Sequence, residues 1–133
     1  MKRDSSDRYR TTELGIVKIN NNAITTIAST AALEVKGVSK VGRGIGKTIY
    51  EILMRRGGKN GVKVYTSENE LRLILYITVD YGIDVTRVAD EVQENVKTAV
   101  EKMTGLVVSA IDVIVEGVRA PQAPENRQDR RKT

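Results

Sequence analysis

The sequence predicts a single α+β domain, a two-layer sandwich with two long helices on one face of a sheet. Three observations point there. Leu71, Leu73, Leu75, Ile77, Val79 and Tyr81 occupy every second position, the period of a strand with one buried side. Two other stretches carry apolar residues at helical spacing, and a glycine follows each, Gly37 and Gly105. Short apolar runs lie between them, so the predicted order is β-α-β, an excursion holding one short α, then β-β-α-β.

Each element has its own signal. Residues 1–10 are polar and charged and read as a disordered arm. Leu14 to Ile19 reads as the first strand, and Asn20, Asn21 and Asn22 offer caps for the helix that follows. Ile24, Ile27, Ala28, Ala31, Ala32 and Val35 form its buried stripe, Gly37 stops it, and Val38 to Val41 reads as a short strand. The excursion spans residues 42–61. Gly42, Gly44 and Gly46 open it, a short helix is expected over Lys47 to Arg56, and Gly57, Gly58 and Gly61 close it. Val62 and Val64 alternate with Lys63 and Tyr65, and Ser67-Glu68-Asn69-Glu70 reads as the turn of a hairpin into the long alternating strand. Asp84 is a predicted cap, Val85, Val88, Ala89, Val92, Val96, Ala99, Val100 and Met103 form the second stripe, and Leu106 to Val118 reads as the last strand. The domain is thus assigned to 11–118, with a basic disordered tail at 119–133 that holds both prolines of the chain.

Composition narrows the chemistry. At 133 residues there is room for one domain, and without Phe or Trp its core must be aliphatic. The absence of Cys excludes a disulfide framework, a thiolate metal site and a cysteine nucleophile, and the absence of His removes the commonest general base and transition-metal ligand. No cofactor is expected. The N-terminus lacks the apolar stretch of a secretory signal, and no run approaches the roughly 18 apolar residues that cross a bilayer. A soluble protein, at most recruited to a membrane, is expected.

The net charge of +5 comes from the two tails, since residues 11–118 carry 13 basic and 13 acidic residues. Locally the balance differs. Lys40 to Lys63 holds seven cations against Glu51 alone. Such a segment suits phosphate, an anionic membrane or an acidic protein surface, and equally a solvated loop. Gly42-Arg43-Gly44-Ile45-Gly46-Lys47-Thr48 imitates a phosphate-binding loop, but the position that must be its first glycine is Val41. Gly58-Lys59-Asn60-Gly61 matches the GXXG spelling of a nucleic-acid clamp, yet a strand follows it where that clamp needs a helix. The acidic residues of the second helix sit at helical spacing from Lys and Arg, as a solvated face would, and no motif indicates catalysis.

Two stretches together resemble the bacterial alkaline-shock-protein family, also called Gls-type or envelope stress response proteins. One is YITVDYGIDVTRVADEVQENVKTAVEKMTGLVVSAIDVIVEGV, residues 76–118, and the other is GIVKINNNAITTIASTAALEVKGV, residues 15–38. No single motif in them is catalytic; their order and spacing carry the resemblance over half the chain. It implies a cytoplasmic bacterial protein, mainly of Gram-positive lineages, linked to alkaline or envelope stress. Some members are held peripherally at the membrane by an anchor protein, and some self-associate. The chain looks closer to a branch encoded beside acetyl-CoA carboxylase subunits than to the large, acidic stress proteins, which implies an influence on fatty-acid synthesis. The family offers no catalytic residues to carry over, and the basic tail departs from the acidic character of many members.

The function expected is therefore that of a non-enzymatic adaptor or scaffold. It would contact a protein partner, such as a carboxylase subunit or a membrane anchor, and itself. Ile74 and Tyr76, apolar positions on the otherwise polar face of the central strand, and Ile114 on the last strand are the candidate self-association residues. The alternative is an RNA- or DNA-binding module using Arg43, Lys47, Arg55, Arg56 and Lys59 with tail residues Arg131 and Lys132. A third reading, an enzyme with Lys47 as a phosphate ligand, is the weakest.

Overall fold

The computed structural model describes residues 7–42, 61–68 and 70–121. Strands β1 (Asp7–Thr12) and β2 (Gly15–Asn20) form an antiparallel hairpin. Helix α1 (Asn21–Leu33) follows without a linker, because Asn20 ends β2 and also caps the helix, its side chain accepting from the Asn22 N–H at 2.8 Å. Then come β3 (Val38–Val41), β4 (Val62–Ser67) and β5 (Glu70–Asp80), helix α2 (Val85–Thr104) and β6 (Val107–Arg119). The architecture is α+β, as the alternation and the two helical stripes predict.

The main sheet is built around β5. It pairs antiparallel with β3 and β4 and parallel with β6, with α2 as the crossover between the two parallel strands. Strands β3 and β4 lie end to end along the same edge of β5. Val41 stands opposite Ile77 and Val62 opposite Leu75. Both helices cover one face, where Leu71, Leu73, Leu75, Ile77 and Val79 are fully buried against Ile24, Ala28, Ala32 and the Val88, Val92, Val96, Val100 row. Every second residue of β5 thus contributes burial worth about 1.5–3 kcal/mol. Polar side chains of α2 tie the layers: Gln93 Nε2 donates to the Ile111 carbonyl of β6 at 2.9 Å and Asn95 Nδ2 to the Ala31 carbonyl of α1 at 2.8 Å.

Several local expectations are corrected. Residues 7–10, read as part of a polar arm, belong to β1. Their composition hides a strand because β1 takes its order from backbone pairing with β2 rather than from an apolar face. Gly37 does not cap α1. The helix ends at Glu34, whose N–H bonds the carbonyls of Ala31 and Ala32, and Gly37 instead makes the turn into β3 at φ +108°, pressed against Val88. Gly105 is a true left-handed cap of α2 at φ 78°. Val85 and Met103, placed in the buried stripe, are exposed at the two ends of α2, and Tyr81 is exposed just past the end of β5. The short helix expected over 47–56 lies outside the described residues.

The C-terminal turn of α2 is fastened to β6 by Glu101. Its Oε2 accepts from the Val108 N–H at 2.9 Å and from Lys97 Nζ at 3.2 Å. The Val108 bond first, and then Lys97, hold this carboxyl below its ordinary value of 4.5. A depressed carboxylate contributes stability above its unfolded-state value and loses it as the pH falls through the folded one. Glu101→Gln keeps an acceptor and removes the charge, so its thermal midpoint should fall less steeply than the parent's as the pH drops below 4.5. Identical acid limbs in a pH series of melts would rule this role out.

Candidate functional site

Among the described residues, neither helix covers the second face of the sheet. Its composition follows from register. In a strand paired on both sides, directly opposed residues share a face. One rung across the three strands reads Lys63, Ile74, Asp112; its neighbours read Tyr65, Arg72, Ala110 on one side, and Tyr76 with Ile114 on the other. The three candidate self-association residues, 40 positions apart in the chain at their extremes, are therefore brought together. Ile74 and Tyr76 are half-buried, and Ile114 is 41% exposed.

The patch has an apolar centre and a charged rim. Arg72 donates to Asp112 Oδ2 at 2.7 Å, between two exposed side chains. Lys63 Nζ lies 5.4 Å from the centroid of the Tyr76 ring, within cation–π range. Tyr65 is exposed beside Arg72. Lys63, Tyr65 and Asp112 are members of this surface that pattern reading missed. A signal was present: the turn at 67–70 pairs Ser67 with Glu70 and thereby sets Lys63 opposite Ile74.

The basic excursion begins and ends at this same patch. The Gly42 N–H donates to the Tyr76 carbonyl at 2.9 Å, and the Tyr76 N–H donates to the Gly61 carbonyl at 2.9 Å. One residue of β5 thus holds both ends of the excursion, and β3 and β4 are two halves of one interrupted edge strand. A Cβ at Gly61 would stand 2.8 Å from Gly42 N and 2.9 Å from its Cα, so the glycine is required by backbone approaching backbone. With its N–H bonded to Tyr76, Gly42 is not a free donor for a phosphate cradle. Arg43, Lys47, Arg55, Arg56 and Lys59 lie outside the described residues, as do Arg131 and Lys132 of the tail. Lys40 and Lys63, which flank the excursion, are exposed on the edge strand opposite Thr78 and Ile74.

Among the described residues no group of three Asp or Glu is placed to hold a metal ion, and no helix is long and apolar enough to cross a membrane. A concavity lies between the end of α1 and the middle of α2, lined by Glu34, Lys36, Glu91, Glu94, Asn95 and Thr98.

A family profile described as ASP23 family, cell envelope-related function, matches residues 9–120. Protein YloU of Bacillus subtilis (strain 168) is 32% identical over 110 residues, covering 81% of this chain and 92% of the relative. Protein YqhY of the same organism is 30% identical over 119 residues, covering 90% of this chain and 85% of the relative. Protein Spy1614 of Streptococcus pyogenes is 24% identical over 110 residues, covering 81% and 91%. Among solved structures, MamM-CTD 215-293 superposes with a TM-score of 0.47 at 19% identity over 74% of this chain and 99% of that chain, a likeness that carries no functional reading.

Proposed function

Since the chain belongs to the ASP23 alkaline-shock family, of cell envelope-related function, we propose that it is a non-catalytic adaptor that works by protein–protein contact. The observation that carries this reading is the open sheet face, where Ile74, Tyr76 and Ile114 form an apolar centre inside a rim of Lys63, Arg72 and Asp112. A central aromatic ringed by polar groups is the arrangement that supplies most of the energy of a protein interface. This face binds a second copy of the chain or a protein partner. An acetyl-CoA carboxylase subunit and a membrane anchor protein are the partners we propose first, the second of which would bring the protein to the membrane periphery.

Tyr76→Glu places a charge at the centre of the patch without touching the helix-covered core. We expect it to weaken self-association by about 30-fold or more, the effect of losing an interface hot spot, without unfolding the domain. Sedimentation velocity over a concentration series checks this, and a wild-type profile for the variant would overturn it. Affinity capture from native lysate, with and without nuclease, then separates this reading from the nucleic-acid one. A protein partner that survives nuclease supports the adaptor. RNA recovery with nuclease-sensitive partners supports the second reading, which the local charge of residues 40–63 favours.

A further inference from the structure

Strand β6 is an edge of the main sheet. Among the described residues β5 is its one strand partner, so a strand of 13 residues has no strand along its other side. Such an edge is a template for another strand, and folded proteins blunt it. The start of this edge is blunted. Glu101 Oε2 takes the Val108 N–H at 2.9 Å, Gln93 Nε2 takes the Ile111 carbonyl at 2.9 Å, and Ser109 drops out of the register with β5. A second register shift drops Glu116. Between the two shifts, Ala110 to Val115 pairs regularly with β5 and carries one charge, no glycine and no proline.

The Gln93 bond shows which backbone groups face outward. A carbonyl held by a side chain of α2 points away from β5, so Ile111 turns its N–H and C=O to the open side. Alternate residues of a strand point their backbone groups the same way, so Val113 and Val115 turn theirs outward too. The side chains of these three lie on the helix-covered side and pack on the core. Asp112 and Ile114 lie on the open face between them.

We propose that this stretch pairs antiparallel with the same stretch of a second copy, about a two-fold axis at Val113, joining two main sheets edge to edge. The contact is separate from the open face and leaves Tyr76 free for a partner. The outward groups of Ile111, Val113 and Val115 are symmetric about Val113 and bounded by a register shift at each end, so one self-pairing register uses them all. In it Val113 exchanges both backbone bonds with its counterpart, and Ile111 exchanges them with Val115 of the second copy. The Ile111 carbonyl keeps Gln93 on one lone pair and accepts on the other. Side chains match as well. Isoleucine meets valine and valine meets valine, so the aliphatic row runs on beneath the helices. A concavity of about 210 Å3 between α2 and the start of the edge, lined by Gln93, Lys97, Val108, Ser109, Ala110 and Ile111, leaves room for the incoming Val115. On the open face, Ile114, 41% exposed, gains its counterpart as a diagonal neighbour. Asp112 is the one charge at the junction, and Arg72 of its own chain offsets it at 2.7 Å. A two-fold contact of this kind closes at a dimer.

Val113→Pro tests the edge. The Val113 N–H faces outward, so proline removes no bond to β5, and edge strands tolerate it. Sedimentation velocity over a concentration series should show dimerisation weakened at least about tenfold, the effect of losing the reciprocal pair at the axis. A crosslink reads the register and decides the matter even where the proline variant does not fold. The chain has no cysteine to interfere. In the proposed register Asp112 stands opposite Ile114 of the second copy in a pair without hydrogen bonds, Cα atoms about 4.5 Å apart, within disulfide reach. Like residues are diagonal, about 7–8 Å apart. Full-length Asp112→Cys mixed with full-length Ile114→Cys under mild oxidation should give a disulfide-linked heterodimer, and either alone far less homodimer. Ile114→Cys linking to itself as fast as to Asp112→Cys, or association lost in Tyr76→Glu and kept in Val113→Pro, would mean that the copies meet through their open faces and would overturn the edge pairing. So would a parent protein that stays monomeric throughout the series and gives no crosslink.

Discussion

Gly61→Ala should lower the stability of the domain by about 1–3 kcal/mol, the usual effect of forcing atoms into a closed contact. The added methyl would stand 2.7 Å from Val41 Cγ1 and 2.8 Å from Gly42 N. A flexible side chain could yield; the Gly42 backbone cannot, because its N–H is engaged by the Tyr76 carbonyl. Relief requires either Gly42 or Gly61 to leave Tyr76, which exposes a paired backbone group of the central strand. Urea unfolding measures this as a lower midpoint at unchanged slope. An unchanged midpoint would mean that the two ends of the excursion do not cross there.

Removing residues 43–61 and joining Gly42 directly to Val62 should leave the fold intact and, on the nucleic-acid reading, weaken salt-sensitive binding to nucleic acid or anionic vesicles. The register makes the junction possible. Val41 faces Ile77, Gly42 bonds Tyr76, and Val62 faces Leu75, so the shortened chain runs as one uninterrupted edge strand. Stability should stay within about 1 kcal/mol of the parent, because the free energy of closing a surface insertion changes slowly with its length. The deletion takes out Arg43, Lys47, Arg55, Arg56 and Lys59. For every phosphate that these cations neutralise, the slope of log affinity against log salt should flatten by about 0.7–0.9. Unfolding of the shortened chain would sink the interrupted-strand reading. Undiminished RNA binding would sink the assignment of nucleic-acid contact to the excursion. Tyr76-dependent self-association should survive, which separates the two candidate functions in one protein.

How far a residue could be read in advance depended on what orders it. The alternation from Leu71 to Val79 is visible because every buried side chain there packs on the same helical layer. Asn20, Asp84 and Gly105 act within a few residues of their own position, as N-cap, N-cap and left-handed C-cap. Strand β1 was missed for the opposite reason. Its order comes from pairing with β2, and polar residues pair as well as apolar ones. The row Val88, Val92, Val96, Val100 is buried, but Val85 and Met103 on the same stripe are not, because periodicity marks a face and says nothing of where the covering layer ends.

The sequence by itself determined the fold class, the helix caps at Asn20, Asp84 and Gly105, the hairpin turn at 67–70 and the absence of cysteine and histidine chemistry. Each depends on local spacing or on residue type alone. Tertiary structure decided the rest: that Ile74, Tyr76 and Ile114 meet on one face, that β3 and β4 are halves of one edge strand, and that Tyr76 holds both ends of the basic excursion. Those facts depend on strands distant in the chain lying side by side. Every residue but proline carries both a backbone donor and an acceptor, so the identity of the pairing partner leaves little mark in the composition of either strand.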